Sequence, residues 1–244
     1  MASGNPALNA KTFDGIAAQG EAMTMRGTVN KTAILLAVTL IGALWCWGQA
    51  ASPGEARDAV PLTIMGAALA GFIVALVTIW KKAWAAYTGP AYAALEGVVI
   101  GGVSAHLEQE FPGIALQAAG LTFAVFGAML VIYYTRLIPM TENVKIGIVA
   151  GTAGIALVYL VDLVLMFFGR PISFIHEGGF WGIAFSLLVV GMAALNLLLD
   201  FDFIEKGVGQ GAPRYMEWYA AFGLMVTLIW LYLEILRLLA KARK

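Results

Sequence analysis

Apolar residues run along this chain in long blocks, not in the alternation of strands or the one-sided stripes of soluble helices. A bilayer core about 30 Å thick takes about 20 residues of helix to cross. Seven blocks reach that scale, at residues 32–50, 60–80, 90–107, 114–135, 146–168, 179–199 and 219–240. The segments between them are short and rich in glycine, proline or charge. The pattern predicts an all-α, polytopic membrane protein, a seven-transmembrane-helix bundle. Residues 1–30 are polar and mixed, which predicts a cytoplasmic N-terminal arm ahead of a transmembrane domain at 31–244. The first apolar block starts only after Lys31 and is followed by six more, so it reads as a retained helix, not a cleaved signal.

Composition supports the membrane assignment. The chain is 61% hydrophobic and 12% charged, whereas soluble domains carry about 25% charged residues. Its net charge of zero gives no electrostatic case for nucleic acid. The one cysteine, Cys46, cannot form an internal disulfide, and no Cys/His metal spacing occurs.

Basic residues set the expected orientation. Lys11, Arg26 and Lys31 precede span 1. The six links then carry Arg57; Lys81 with Lys82; none; Arg136 with Lys145; Arg170; and Lys206 with Arg214. The N-terminus and every second link are therefore expected in the cytoplasm. Seven crossings leave Arg237, Lys241, Arg243 and Lys244 outside, against the trend. Small residues mark helix contacts: Ala93, Gly97, Gly101 and Ala105 stand four apart in span 3, and Gly147 with Gly151 and Ala150 with Gly154 in span 5.

Familiar catalytic motifs do not occur. There is no nucleotide loop, no zinc-binding H-E-x-x-H helix and no G-x-S-x-G elbow. His106 and His176 read as solvated link residues, and Ser104 and Ser186 show no intramembrane base. The expectation is a protein that is not an enzyme, with no cofactor or metal centre.

Carboxylates are the informative chemistry, because at membrane depth they are costly unless paired, protonated or watered. Five fall in or at the edge of spans: Glu96, Asp162, Asp200, Asp202 and Glu234. Glu96 adjoins the small-residue stripe and is expected to face protein. Asp162 lies in span 5 with no cation in that span. Asp200 and Asp202 close span 6, where the helix dipole disfavours acids. Glu234, in span 7, is three residues from Arg237 and can pair with it. Two carboxylates brought together cannot both ionise, so they titrate as a unit. Ionised, they repel and admit a hard cation such as calcium.

At these residues the chain resembles the Bax inhibitor-1 (TMBIM) family, in its bacterial branch. The resemblance runs from Met23 onward. It is carried by MTMRGTVNKT at 23–32, GPAYAALEG at 89–97, NLLLDFDFIE at 196–205 and LYLEILRLL at 231–239. It implies a bundle with helix 7 central, in the bacterial inner membrane, and a pH-sensitive calcium-permeable channel or leak. Asp200 and Glu234 match the family's paired carboxylates on helices 6 and 7, its proton sensor and latch. Glu96, Asp162 and Asp202 are then candidates for the ion pathway, with Lys81, Lys82 and Arg237 as cations near the latch. If span 7 starts at Met216, about 27 Å of helix precedes Glu234, and Glu217 becomes the nearer partner of Asp200. Some bacterial relatives instead bind and restrain a membrane-anchored protease. A non-conducting regulator acting through the arm is therefore one alternative, and a proton-coupled transporter another.

The basic-residue alternation predicts that Lys82→Cys and Lys206→Cys react with an impermeant thiol reagent only after permeabilisation. Labelling of either in intact cells would reject this topology.

Overall fold

The computed structural model describes residues 21–52, 54–170 and 172–244. Residues 1–20 of the expected arm lie outside the described residues. Among the described residues are seven long helices: α1 (Met25–Ala51), α2 (Val60–Trp80), α3 (Ala85–Glu110), α4 (Ile114–Tyr134), α5 (Glu142–Phe167), α6 (Phe180–Gly209) and α7 (Met216–Ala242). Short turns at Glu55–Asp58, Lys82–Trp84 and Ser173–His176 lie in the links.

Six of the seven are long and apolar enough to cross a membrane, and α3 is the exception. Its 26 residues include Glu96, Glu108 and Glu110, and its packing face is alanine and glycine. Small residues read as apolar in a block count but add little hydropathy.

Helix starts differ from the expected blocks for local reasons. α1 begins at Met25, not at residue 32, because the Thr24 hydroxyl caps it, accepting the Gly27 N–H at 2.9 Å. α3 begins at Ala85, five residues before Pro90. Proline lacks an N–H and usually marks a first turn, yet here it sits inside the helix. α4 is preceded by its N-cap Gly113, whose φ of 82° suits glycine. The Glu108 carboxylate accepts the N–H groups of Gly113 and Ala115 there, at 2.5 and 3.0 Å.

α7 packs against α1, α3, α4 and α6. Its apolar stretch is 61% buried, against 44% for α6 and 22% or less for the other four membrane-length helices. Met216, Tyr219, Phe222, Met225 and Leu231 of α7 meet Leu35, Ile114, Leu197 and Leu198 in the core. The periphery is inverted relative to a soluble protein. α2 leans on α3 and α5 on α6, and both turn large apolar side chains outward, including Leu62, Leu69, Leu157 and Leu160. A helix satisfies its own backbone, so lipid accepts such a face.

The two small-residue stripes have different fates. On α3, a side chain at Gly97 would overlap the Thr39 carbonyl of α1, and one at Gly101 the Ala43 carbonyl. On α5, Gly151 touches Met192 of α6, but Gly147 and Gly154 face open space. Among the described residues, the main helix neighbour of α5 is α6.

Gly101→Ala is therefore expected to lower stability by about 1–3 kcal/mol through overpacking, despite the gain of ~1 kcal/mol in helix propensity. Gly120→Ala, in open space on α4, should be neutral or stabilising. Thermal unfolding in detergent checks both, and equal responses would reject close α1–α3 packing as the cause.

Candidate functional site

The starts of α1 and α7 share one face of the bundle, the near face, and the end of α7 marks the far face. Glu217, in the first turn of α7, is 2% exposed. It pairs with Lys31 of α1 and accepts the Thr24 N–H and hydroxyl, both at 2.8 Å. A side chain at Gly27 would overlap this carboxylate, so glycine makes the approach possible. Residues 21–24 dock onto the α6–α7 turn. Met23 N–H donates to Ala212 O at 2.6 Å, Arg214 N–H to Glu21 O at 3.0 Å, and the Arg214 and Glu21 side chains pair.

Other near-face groups hold the end of α6. Asp202 sits between Lys145 at 2.6 Å and Lys206 at 2.8 Å. Glu205 pairs with Arg136 at 2.6 Å and with the Tyr133 hydroxyl. Asp202, a pathway candidate from sequence, is thus bound by two ammonium groups. The Lys82 ammonium lies 5.9 Å over the ring of buried Tyr219, and burial pushes its pKa below the ordinary lysine range. Lys81 is exposed and stacks on Trp84 at 4.3 Å. Of the two lysines expected near the latch, only Lys82 turns to α7.

Asp200 is fully buried, at 0% exposure. It lies nine residues before the end of α6, and Glu234 eighteen residues after the start of α7. At ~1.5 Å per residue those are depths of about 14 and about 27 Å from the near face. The antiparallel register therefore separates the two by about 13 Å along the helix axis. By that arithmetic the two carboxylates expected to pair stand at different depths, with Glu217 about 12 Å from Asp200 on the other side. Glu234 is 3% exposed and is met by Arg237 at 2.9 and 3.1 Å and by the Tyr159 hydroxyl of α5 at 3.0 Å. Arg237 also donates to the Tyr159 oxygen at 2.6 Å.

Asp162 lies five residues before the end of α5, not at mid-membrane. Both its oxygens hold the α5–α6 link, one accepting the Ile172 N–H at 2.8 Å and the other meeting His176 Nε2 at 2.7 Å. The carboxylate expected on the ion pathway is thus engaged by the α5–α6 link. Glu96 is half-buried against α2, where a Cβ at Gly71 would come within 3.1 Å of its carboxylate. Ser186, without a visible base in the sequence, has the Lys241 amine 2.9 Å away. That amine also donates to Gly182 O at 3.1 Å. Both side chains are buried, and the contact ties the end of α7 to the start of α6.

The family model described as Bax inhibitor 1 like matches residues 5–244. The chain belongs to that family. No curated protein matches it. The six membrane-length helices and the family together make it a multi-pass membrane protein.

Within this Bax inhibitor 1 like bundle, the arrangement can exchange protons and present oxygen ligands at three depths. No cluster of three or more His, Cys, Asp or Glu able to hold a metal ion occurs among the described residues. Sequence reasoning missed Lys31, Tyr159, His176 and Lys241 as partners of buried polar groups. Tyr159 did carry a signal: it stands three residues before Asp162, on the same helix face.

Removing one partner of a buried ion pair leaves the other uncompensated. Glu217→Ala should cost about 3 kcal/mol, and Lys31→Met combined with it should add much less than its own single effect. Thermal unfolding of the four proteins checks this, and simple additivity would show that the pair does not couple.

Proposed function

We propose that this Bax inhibitor 1 like protein is a pH-sensitive, calcium-permeable channel or leak of the bacterial inner membrane. In this reading it spans the membrane seven times, its N-terminus is cytoplasmic and α7 is central. One observation carries the reading: Asp200, Glu217 and Glu234, each 3% exposed or less, stand at three depths along the α6–α7 hairpin. Carboxylate oxygens suit calcium, a hard cation. In a low-dielectric surround each has to be neutralised by a proton or a cation, so proton load and cation passage compete for the same groups.

In this reading Asp200 and Glu234 are the proton sensor, acting from two depths without touching. Arg237 sets the charge state at Glu234, and Lys82 adds positive charge at the near end of α7. Glu96 and Asp202 flank the route. Protonation removes the charge that draws calcium in, so acid closes and base opens. Calcium and protons are the permeant and regulating ions. A second reading, a non-conducting regulator of a membrane-anchored protease, draws on the docking of residues 21–24 against the α6–α7 turn. That docking couples the arm to α7.

Purified protein in calcium-indicator liposomes tests the proposal across about pH 5 to about pH 8, the range bracketing the switch of a perturbed carboxylate or histidine. Flux should rise with pH. Asp200→Asn and Glu234→Gln should each flatten the profile, and deletion of residues 1–20 should leave it intact. Absence of calcium flux at every pH sinks the leak and favours the regulator.

A further inference from the structure

The α5–α6 link folds back over the far end of α7, and one aspartate fastens it. Asp162 is buried on α5. One oxygen takes the Ile172 N–H at 2.8 Å, and the other faces His176 Nε2 at 2.7 Å. His176 is 44% exposed. One imidazole therefore meets far-face solvent and a buried carboxylate at once. Three residues before Asp162 is Tyr159, whose hydroxyl donates to Glu234 and accepts from Arg237. The link also reaches α7 directly, since a Cβ at Gly178 would lie 3.2 Å from the Lys241 carbonyl and 3.3 Å from the Lys244 side chain.

We infer that the α5–α6 link is a proton-operated clasp. Protonated His176 clamps Asp162 and closes the link over the Tyr159–Glu234–Arg237 group, and loss of that proton releases it. Histidine is the side chain whose charge changes in the physiological range. A neutral imidazole makes an ordinary hydrogen bond to a carboxylate, whereas an imidazolium makes a charge-assisted one, roughly twice as strong.

The charged groups around the clasp oppose one another. They are Asp162 on α5, Glu177 and Arg170 in the link, and Arg237, Lys241 and Lys244 at the end of α7. Of these, Asp162 is in direct contact with the imidazole, at 2.7 Å. Arg237 is already matched by Glu234 at 2.9 Å. Acid on the far face thus closes the link, the same direction in which protons close the proposed leak. The clasp rests on that reading only for its effect on flux.

Hydrogen exchange tests the clasp without any flux. The full chain in lipid nanodiscs is compared at about pH 5.5 and about pH 8, either side of histidine titration, with intrinsic exchange corrected. Protection over residues 169–178 should drop roughly fivefold at the higher pH, as expected for losing charge assistance. His176→Gln keeps an N–H donor without the charge, so its protection should match at both pH values. Protection independent of pH in the unmodified protein, or the same pH dependence in His176→Gln, overturns the clasp. A second arm varies pH only on the far side of oriented proteoliposomes. Acid there should suppress calcium flux in the unmodified protein and not in His176→Gln. If exchange shows the clasp and flux ignores far-face pH, the clasp stands and its control of conduction falls. If no flux occurs at any pH, the leak falls and the exchange result alone judges the clasp.

Discussion

A carboxylate on α7 can be buried only where another group supplies donors, because lipid offers neither water nor counter-ions. That requirement organises the bundle. At the near end, α1 answers Glu217 with Lys31 and the Thr24 cap. Toward the far end, α5 answers Glu234 with Tyr159, and α7 itself contributes Arg237. Beyond that, Lys241 reaches Ser186 and Gly182 of α6. α7 is held by polar ties at both ends and by apolar packing between them. A shift of α7 along its axis would strain both sets of ties together.

The rest of the packing lets α7 be so enclosed. Water-driven association is absent between helices in lipid, and close packing of small residues takes its place. Gly97 and Gly101 bring α3 onto α1 at backbone distance, and both helices pack against α7. This also explains why α3 alone of the seven is not apolar enough to be counted as a membrane-length helix. A helix covered by α1, α2 and α7 need not carry large greasy side chains. The helices that face outward, α2 and α5, carry them instead.

Much of this was legible in the sequence. The apolar blocks overlap the seven helices, the Ala93–Gly97–Gly101–Ala105 stripe lands on a neighbour, and Glu234 and Arg237 pair at the spacing of one helical turn. The illegible part is the matching of groups far apart in the chain. Lys31 and Glu217 are 186 residues apart, and no local pattern joins them. Asp162 reads as a mid-span acid until the link is seen to fold back and supply Ile172 N–H and His176. The span 5 glycines read as a contact stripe because spacing reports a shared face, not what lies opposite. The depth mismatch of Asp200 and Glu234 was within reach, since it follows from helix rise once the true start of α7, Met216, is fixed.

The charge order along α7 bears on Lys241 and Arg243, two of the cations expected to run against the orientation rule. A helix is partly positive at its start and partly negative at its end. Glu217 suits the start, and Lys241 and Arg243 suit the end. Arg243 donates to Pro112 O at 3.1 Å and to Gln117 at 2.7 Å, while Lys241 is buried against α6. These cations are ligated within the fold, unlike the loop charges that the orientation rule counts. Glu234 is the group that runs against the order, an acid in the negative half of the helix. It is tolerated because Arg237 and Tyr159 hold it. A proton on Glu234 would free Arg237 from its partner beside Asp162 and the link. Charge on this one carboxylate is therefore felt at the far end of α7, where the bundle meets solvent.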